Sequence, residues 1–262
     1  MLAILKMLVK GGFFHMDKLD KDKKSEIDAL AFGAHPDDVE LSCAGTILQL
    51  VRSGRKVGVV DLTRGELGTR GTPELRDQEA REASRILGLS CRENLGMRDG
   101  FFENDPEHQL QVVRMIRRYQ PELILCNAVS DRHPDHGRGA ALVAKAAFLA
   151  GLLKVETDDN GASQAPWKCR ALYHYIQDRY DTPDFVVDVA AVWKERMEAV
   201  LAFKSQFYNP ESNEPETPIS SREFLAYLEA KAAVFARPAG LTYAEGYIAS
   251  RTPAVEDIFD LL

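Results

Sequence analysis

Two short stretches of the chain gather side chains that could do chemistry. Residues 34–40 read A-H-P-D-D-V-E, an imidazole followed by three carboxylates, and residues 131–136 read D-R-H-P-D-H; together they hold three of the six histidines. Taken alone, each could be a turn in which proline sets φ and an Asp caps the next helix. Taken as a pair they complement one another. Two imidazoles and one carboxylate, with the fourth position left to water, make a catalytic zinc site, because the open position is what separates catalytic from structural zinc. His35, Asp38 and His136 are the predicted ligands. Zinc held this way brings the pKa of its water to about 7, so the predicted chemistry is hydrolysis. Asp37 and Asp38 are neighbours and must point in different directions, which leaves Asp37 as general base. In the second stretch His136 ligates, while His133, hydrogen-bonded to Asp135, is expected to stay protonated and stabilise an oxyanion. Glu40 either orients a ligand from behind or stands exposed in a first helical turn.

The surrounding elements must bring the two stretches together. Apolar runs of strand length alternate with helical patterns from about Ile27 onward, predicting an α/β, Rossmann-like fold: a mainly parallel sheet with helices on both faces. Strands are expected over 27–34, 56–63, 122–127, 171–177 and 185–189. Between them, helices are marked by Val39 to Leu50, by Thr72-Pro73 to Gly88, by Asp105-Pro106 onward and by Leu142 to Leu153. Two more helices follow, on Trp193, Met197 and Val200 and on Phe224, Leu228, Ala232 and Phe235, separated by the proline-rich loop N-P-E-S-N-E-P-E-T-P. Both reactive stretches leave the carboxyl ends of strands, and at a doubly wound sheet's switch point two such loops face each other.

Composition excludes several classes. The 262 residues are 45% hydrophobic and 28% charged, which fits an ordinary globular domain. A net charge of -7 repels phosphate backbones and anionic headgroups, so neither nucleic acid nor a membrane is an expected partner. No G-x-G-x-x-G or P-loop is present. Cys43, Cys91, Cys126 and Cys169 form no C-x-x-C pair and read as buried thiols of a cytoplasmic protein. The apolar opening residues, interrupted by Lys6 and Lys10, give way to a polar stretch after Met16. Residues 1–22 are accordingly expected to be a tail, and 23–262 a single domain.

A-H-P-D-D after the first strand, L-T-R-G-E-L-G-T-R-G-T after the second and H-P-D-H near mid-chain resemble the LmbE/PIG-L-type zinc N-deacetylases, as do K-S-Q-F-Y at 204–208 and A-E-G-Y at 244–247. Within that family the resemblance is to the bacillithiol-pathway branch, which deacetylates N-acetylglucosaminyl malate. It implies the ligand set and roles already read from the residues, with zinc, or iron in vivo, as cofactor. It also implies a small glucosaminyl conjugate as substrate, in a cytoplasmic homo-oligomer. A malate aglycone carries two carboxylates, which guanidinium groups bind bidentately; Arg64 and Arg132 are the expected contacts. The alternatives are a mycothiol-type amidase, a deacetylase of another conjugate, or a non-catalytic sugar- or nucleotide-binding module.

Overall fold

A computed structural model describes residues 27–261, so the expected tail over 1–22 lies outside the described residues. Alternation of strand and helix runs through β1 (Ala29–Gly33), α1 (Asp38–Arg52), β2 (Val57–Thr63), α2 (Pro73–Leu87), β3 (Cys91–Met97), α3 (Pro106–Tyr119), β4 (Leu123–Cys126) and α4 (Pro134–Ala150). A two-residue hairpin, β5 (Asp158–Asp159) and β6 (Ala162–Ser163), precedes β7 (Ala171–Tyr175), β8 (Phe185–Asp188), α5 (Trp193–Leu201), α6 (Arg222–Ala236) and β9 (Ala244–Ala249). The main sheet has the order β3-β2-β1-β4-β7-β9-β8. All neighbours from β3 to β7 are parallel, and β9 alone runs against the rest, pairing antiparallel with β7 and β8.

The central strands are buried on both faces, so they read as continuous apolar runs. Leu30 and Phe32 of β1 pack with Val113 and Ile116 of α3 and Leu142 and Val143 of α4. Ala29 and Ala31 point the other way, onto Val39, Ala44 and Ile47 of α1. The chain reverses its direction of growth at β1, which lies between β2 and β4. That is the switch point at which open sheets place ligands.

Several elements depart from expectation, the β5–β6 hairpin among them. β3 and β9 were not predicted; β3 is an edge strand reading C-R-E-N-L-G-M, without the apolar alternation that would reveal it. α4 starts at Pro134, not near Leu142, so His136 sits on its first turn, and Leu153 lies beyond its end, 82% exposed. All four cysteines are free thiols, Cys43 and Cys126 buried but Cys91 and Cys169 only half-buried. No helix among the described residues is long and apolar enough to cross a membrane.

Candidate active site

The first reactive turn is fixed by its own residues. Thr63 of β2 donates its backbone N–H and its hydroxyl to Ala34 O, at 3.0 and 2.8 Å, pinning the turn to the sheet. Asp38 Oδ2 accepts the His35 backbone N–H at 2.9 Å. Asp37, between them, has φ 117° and ψ -24°, a left-handed conformation for a residue with a Cβ. Such backbone costs on the order of 1–3 kcal/mol and persists where surrounding structure enforces it. Here it stands at the N-terminal end of α1, making no side-chain cap bond, and lets successive carboxylates leave the turn in different directions.

α1 itself is broken at Cys43, whose φ and ψ are -143° and 16°. The break frees backbone donors that Glu245 of β9 takes up, accepting from Gly45 N at 2.9 Å and Thr46 N at 2.8 Å. Gly45 is needed there, because a Cβ would come within 2.6 Å of Val189 Cγ1.

The second stretch is a helix start. Pro134 occupies the first turn of α4, where its missing N–H costs nothing, and His133 caps it by accepting the Asp135 backbone N–H at Nδ1. Asp131 Oδ2 lies 2.5 Å from His136 Nδ1, which leaves Nε2 facing Asp38.

These constraints bring the predicted ligands together. Asp38 Oδ2 is 3.6 Å from His35 Nδ1, and Asp38 Oδ1 is 3.1 Å from His136 Nε2. Donor atoms about 2.0–2.2 Å from a tetrahedral ion lie about 3.3 Å from one another, so these separations suit one. Nitrogens of His35, His133 and His136 also lie within 4.8 Å of one another, and a further set joins His35 to Asp99 and Asp135. Donors that could hold a metal ion are therefore gathered here, though neither of the two mutually close sets includes Asp38, which meets the two imidazoles through different oxygens.

Asn127 and Gln177, at the ends of β4 and β7, hold Asp38: the Asn127 side-chain N–H donates to Oδ2 at 3.0 Å and that of Gln177 to Oδ1 at 3.2 Å. Asp99 Oδ1, after β3, sits 3.0 Å from His35 Nε2. None of Asn127, Gln177, Asp99 or Asp131 was assigned a role from sequence. Asp99 could have been found had β3 been recognised, since it too follows the carboxyl end of a parallel strand.

The electrostatics follow from burial among carboxylates. Burial disfavours a charged His35, but hydrogen bonds from Asp135, Asp38 and Asp99 outweigh it and hold its pKa well above the ordinary value. His136 is likewise opposed by burial yet pushed up to about 9 by Asp38 and Asp131. Burial also works against the Asp38 carboxylate, but the two imidazoles bring its pKa well below the usual range. Burial raises Asp37 to about 7, against the opposing charge of Arg76.

Two expectations need correction. His133 is not held protonated by the Asp135 carboxylate: burial first, and then the neighbouring His35 and His136, lower its pKa. Asp135 instead accepts from Arg138 Nη1 at 2.6 Å and Gly100 N at 2.8 Å, touching His133 only through its backbone N–H. Arg64 is not among the residues lining the site, because Asp77 and Glu74 of α2 hold its guanidinium, with Nη2 2.5 Å from Asp77 Oδ2. Arg76 lines it instead, buried beneath the loop after β2, where Gly65 at φ 65° leaves no room for a Cβ beside its guanidinium. Glu40 is fully buried and bonded to Arg92, so the exposed alternative is excluded.

His35, Asp37, Asp38, His133, Asp135 and His136 all line one cavity of about 360 Å³, with Arg132 at its rim. Leu41, Leu67, Ile219, Phe224 and Leu228 supply its apolar lining.

A parallel sheet with a cluster of ligand-type side chains at its switch point defines a hydrolase-type site on an α/β fold. Residues 30–147 match the family described as PIG-L: GlcNAc-PI de-N-acetylase. The crystal structure of the conserved protein TT1542 from Thermus thermophilus has a TM-score of 0.78 and 35% identity, covering 89% of this chain and 98% of that one. Diacetylchitobiose deacetylase of Thermococcus kodakarensis is 29% identical over 83% of this chain and 80% of its own length. The probable N-acetyl-alpha-D-glucosaminyl L-malate deacetylase 2 of Bacillus anthracis is 31% identical over 47% of this chain and 60% of its own. The chain carries a domain of the PIG-L/LmbE family of de-N-acetylases over residues 30–147 and is an amide hydrolase.

Proposed function

We propose that the protein removes the acetyl group of N-acetylglucosaminyl conjugates in a zinc-dependent reaction, with N-acetylglucosaminyl L-malate as its substrate. The observation that carries this reading is the division of labour in one turn: Asp38 faces both imidazoles, while Asp37, adjacent and buried, lines the same cavity outside that set.

His35, Asp38 and His136 would hold the metal, which when bound polarises the acetamide carbonyl and the attacking water; zinc suits this donor set, with iron the alternative. Asp37 accepts the proton of the water that adds to the carbonyl carbon. A carboxylate desolvated until its pKa is about 7 is matched to that task. When the C–N bond breaks, Asp37 returns the proton to the leaving amine, so that amide and water give acetate and a free amino sugar. His133 accepts a backbone N–H at Nδ1, which puts its own ring proton on Nε2, free to donate to the oxyanion.

Arg132 at the rim supports an acidic aglycone, and the partial likeness to a malate-conjugate deacetylase agrees with it. The longer match to a diacetylchitobiose deacetylase favours a second reading, a neutral amino-sugar aglycone. Acetate release from a panel of N-acetylglucosaminyl conjugates decides between them. Highest kcat/KM on the malate conjugate supports the first, and highest kcat/KM on diacetylchitobiose overturns it.

A further inference from the structure

α6 contributes one charged side chain to a cavity wall that is otherwise apolar and aromatic. Lys231 lines the cavity beside Phe224, Tyr227 and Leu228. Its ammonium donates to Gln177 O at 2.6 Å and lies 5.7 Å from the Tyr227 ring centroid. One hydrogen bond uses one of the ammonium's three donors. Among the described residues no carboxylate comes within 4.0 Å of it, and Asp178, which lines the same cavity, is bonded to Arg132, whose Nε is 2.5 Å from Asp178 Oδ2. A half-buried ammonium that has donors to spare and faces a cavity is a ready receptor for an anion. Burial lowers its pKa to about 8, which leaves it mostly charged at neutral pH.

Its position ties it to the reacting end. Gln177 donates its side-chain N–H to Asp38 Oδ1 and gives its backbone carbonyl to Lys231. A single residue therefore spans from the candidate ligand carboxylate to the lone ammonium. A sugar whose acetamide sits at Asp37 and Asp38 would extend its aglycone toward the α6 wall. There Lys231 offers its unused donors to whatever anion it carries.

We propose that Lys231 is the specificity-determining residue of an aglycone subsite, receiving a carboxylate of the substrate. The inference rests on the deacetylase reading above and narrows the substrate class to conjugates with an anionic aglycone. Arg132 was legible as a candidate in the sequence; Lys231 was not, since a lysine on an amphipathic helix ordinarily faces solvent.

The test compares wild type, Lys231→Met, Lys231→Gln and Lys231→Arg, all metal-loaded, on N-acetylglucosaminyl malate and on the uncharged methyl N-acetylglucosaminide. Lys231→Met should lower kcat/KM for the malate conjugate roughly ten- to a hundred-fold, chiefly through KM, as expected for losing a charge-assisted hydrogen bond. The methyl glycoside should be turned over within about twofold of wild type, and Lys231→Arg should restore part of the loss. Lys231→Gln, which keeps a donor for Gln177 O but no charge, is read in the same way where the Met variant does not fold. Equal losses on both substrates, or none, overturn the subsite. Wild-type enzyme that deacetylates the methyl glycoside without preferring the malate conjugate overturns it too, while deacetylation stands. Acetate from neither conjugate overturns the activity itself.

Discussion

Glu245 Oε2 accepts both the backbone N–H and the hydroxyl of Thr46, each at 2.8 Å, so that β9, the one strand running against the sheet, caps the second segment of α1. The buried guanidinium of Arg196, 3.6 Å from Glu245 Oε1, also donates to Leu41 O just before the break. Tyr247, two residues along β9, donates to the same Thr46 hydroxyl. The motif A-E-G-Y thus acts on α1, whose first segment carries Asp38. Glu245→Ala should lose about 3–5 kcal/mol in urea unfolding, because it removes a cap and leaves a buried cation unpaired. Glu245→Gln, which keeps an acceptor, should lose less; equal losses would mean that the negative charge alone matters.

Asp131 governs which nitrogen of His136 faces the cavity. Asp131→Asn should weaken metal affinity about 10–100-fold while circular dichroism and unfolding midpoint stay near wild type, the usual consequence of removing the partner behind a ligand histidine. Metal titration in the presence of a competing chelator measures it. Unchanged affinity would show that His136 is oriented by packing alone.

Much of this site was legible because its residues are contiguous in sequence: His35, Asp37 and Asp38 share one turn, and His133, Asp135 and His136 share one helix start. The parallel order was legible because β1 and β4 are apolar throughout and β2 is so apart from Asp61 and Thr63. What escaped reading depends on pairings distant along the chain. Glu245 meets α1 across 200 residues, and Gln177 meets Asp38 across 139. The role of Asp135 escaped for a different reason: sequence adjacency to His133 suggested a carboxylate–imidazole bond, but the helix geometry offers His133 the Asp135 N–H and sends the carboxylate to Arg138. Arg64 was misplaced because nothing in its loop announces Asp77 as a partner 13 residues on.

Lys231 gives a pH dependence whose sign is fixed by its burial. Its pKa falls from 10.5 to about 8 in the folded state. Below about 8 both states carry the proton and the fold bears the cost of the buried charge. Between about 8 and 10.5 the unfolded chain binds the proton more tightly, so stability rises with pH. Relative to Lys231→Met, wild type should therefore gain up to about 3 kcal/mol across that window in urea unfolding. A difference that stays flat from pH 7 to 10.5 would place the ammonium in solvent.

The central claim is that one turn divides its two carboxylates between metal and proton. Acetate release by Asp37→Asn, measured beside the metal content of the same preparation, tests it most directly. The amide cannot accept the proton of the attacking water, so turnover should fall about 10²- to 10⁴-fold with metal content unchanged. Turnover near wild type, or loss of the metal together with the activity, would contradict the assignment of Asp37 as the base.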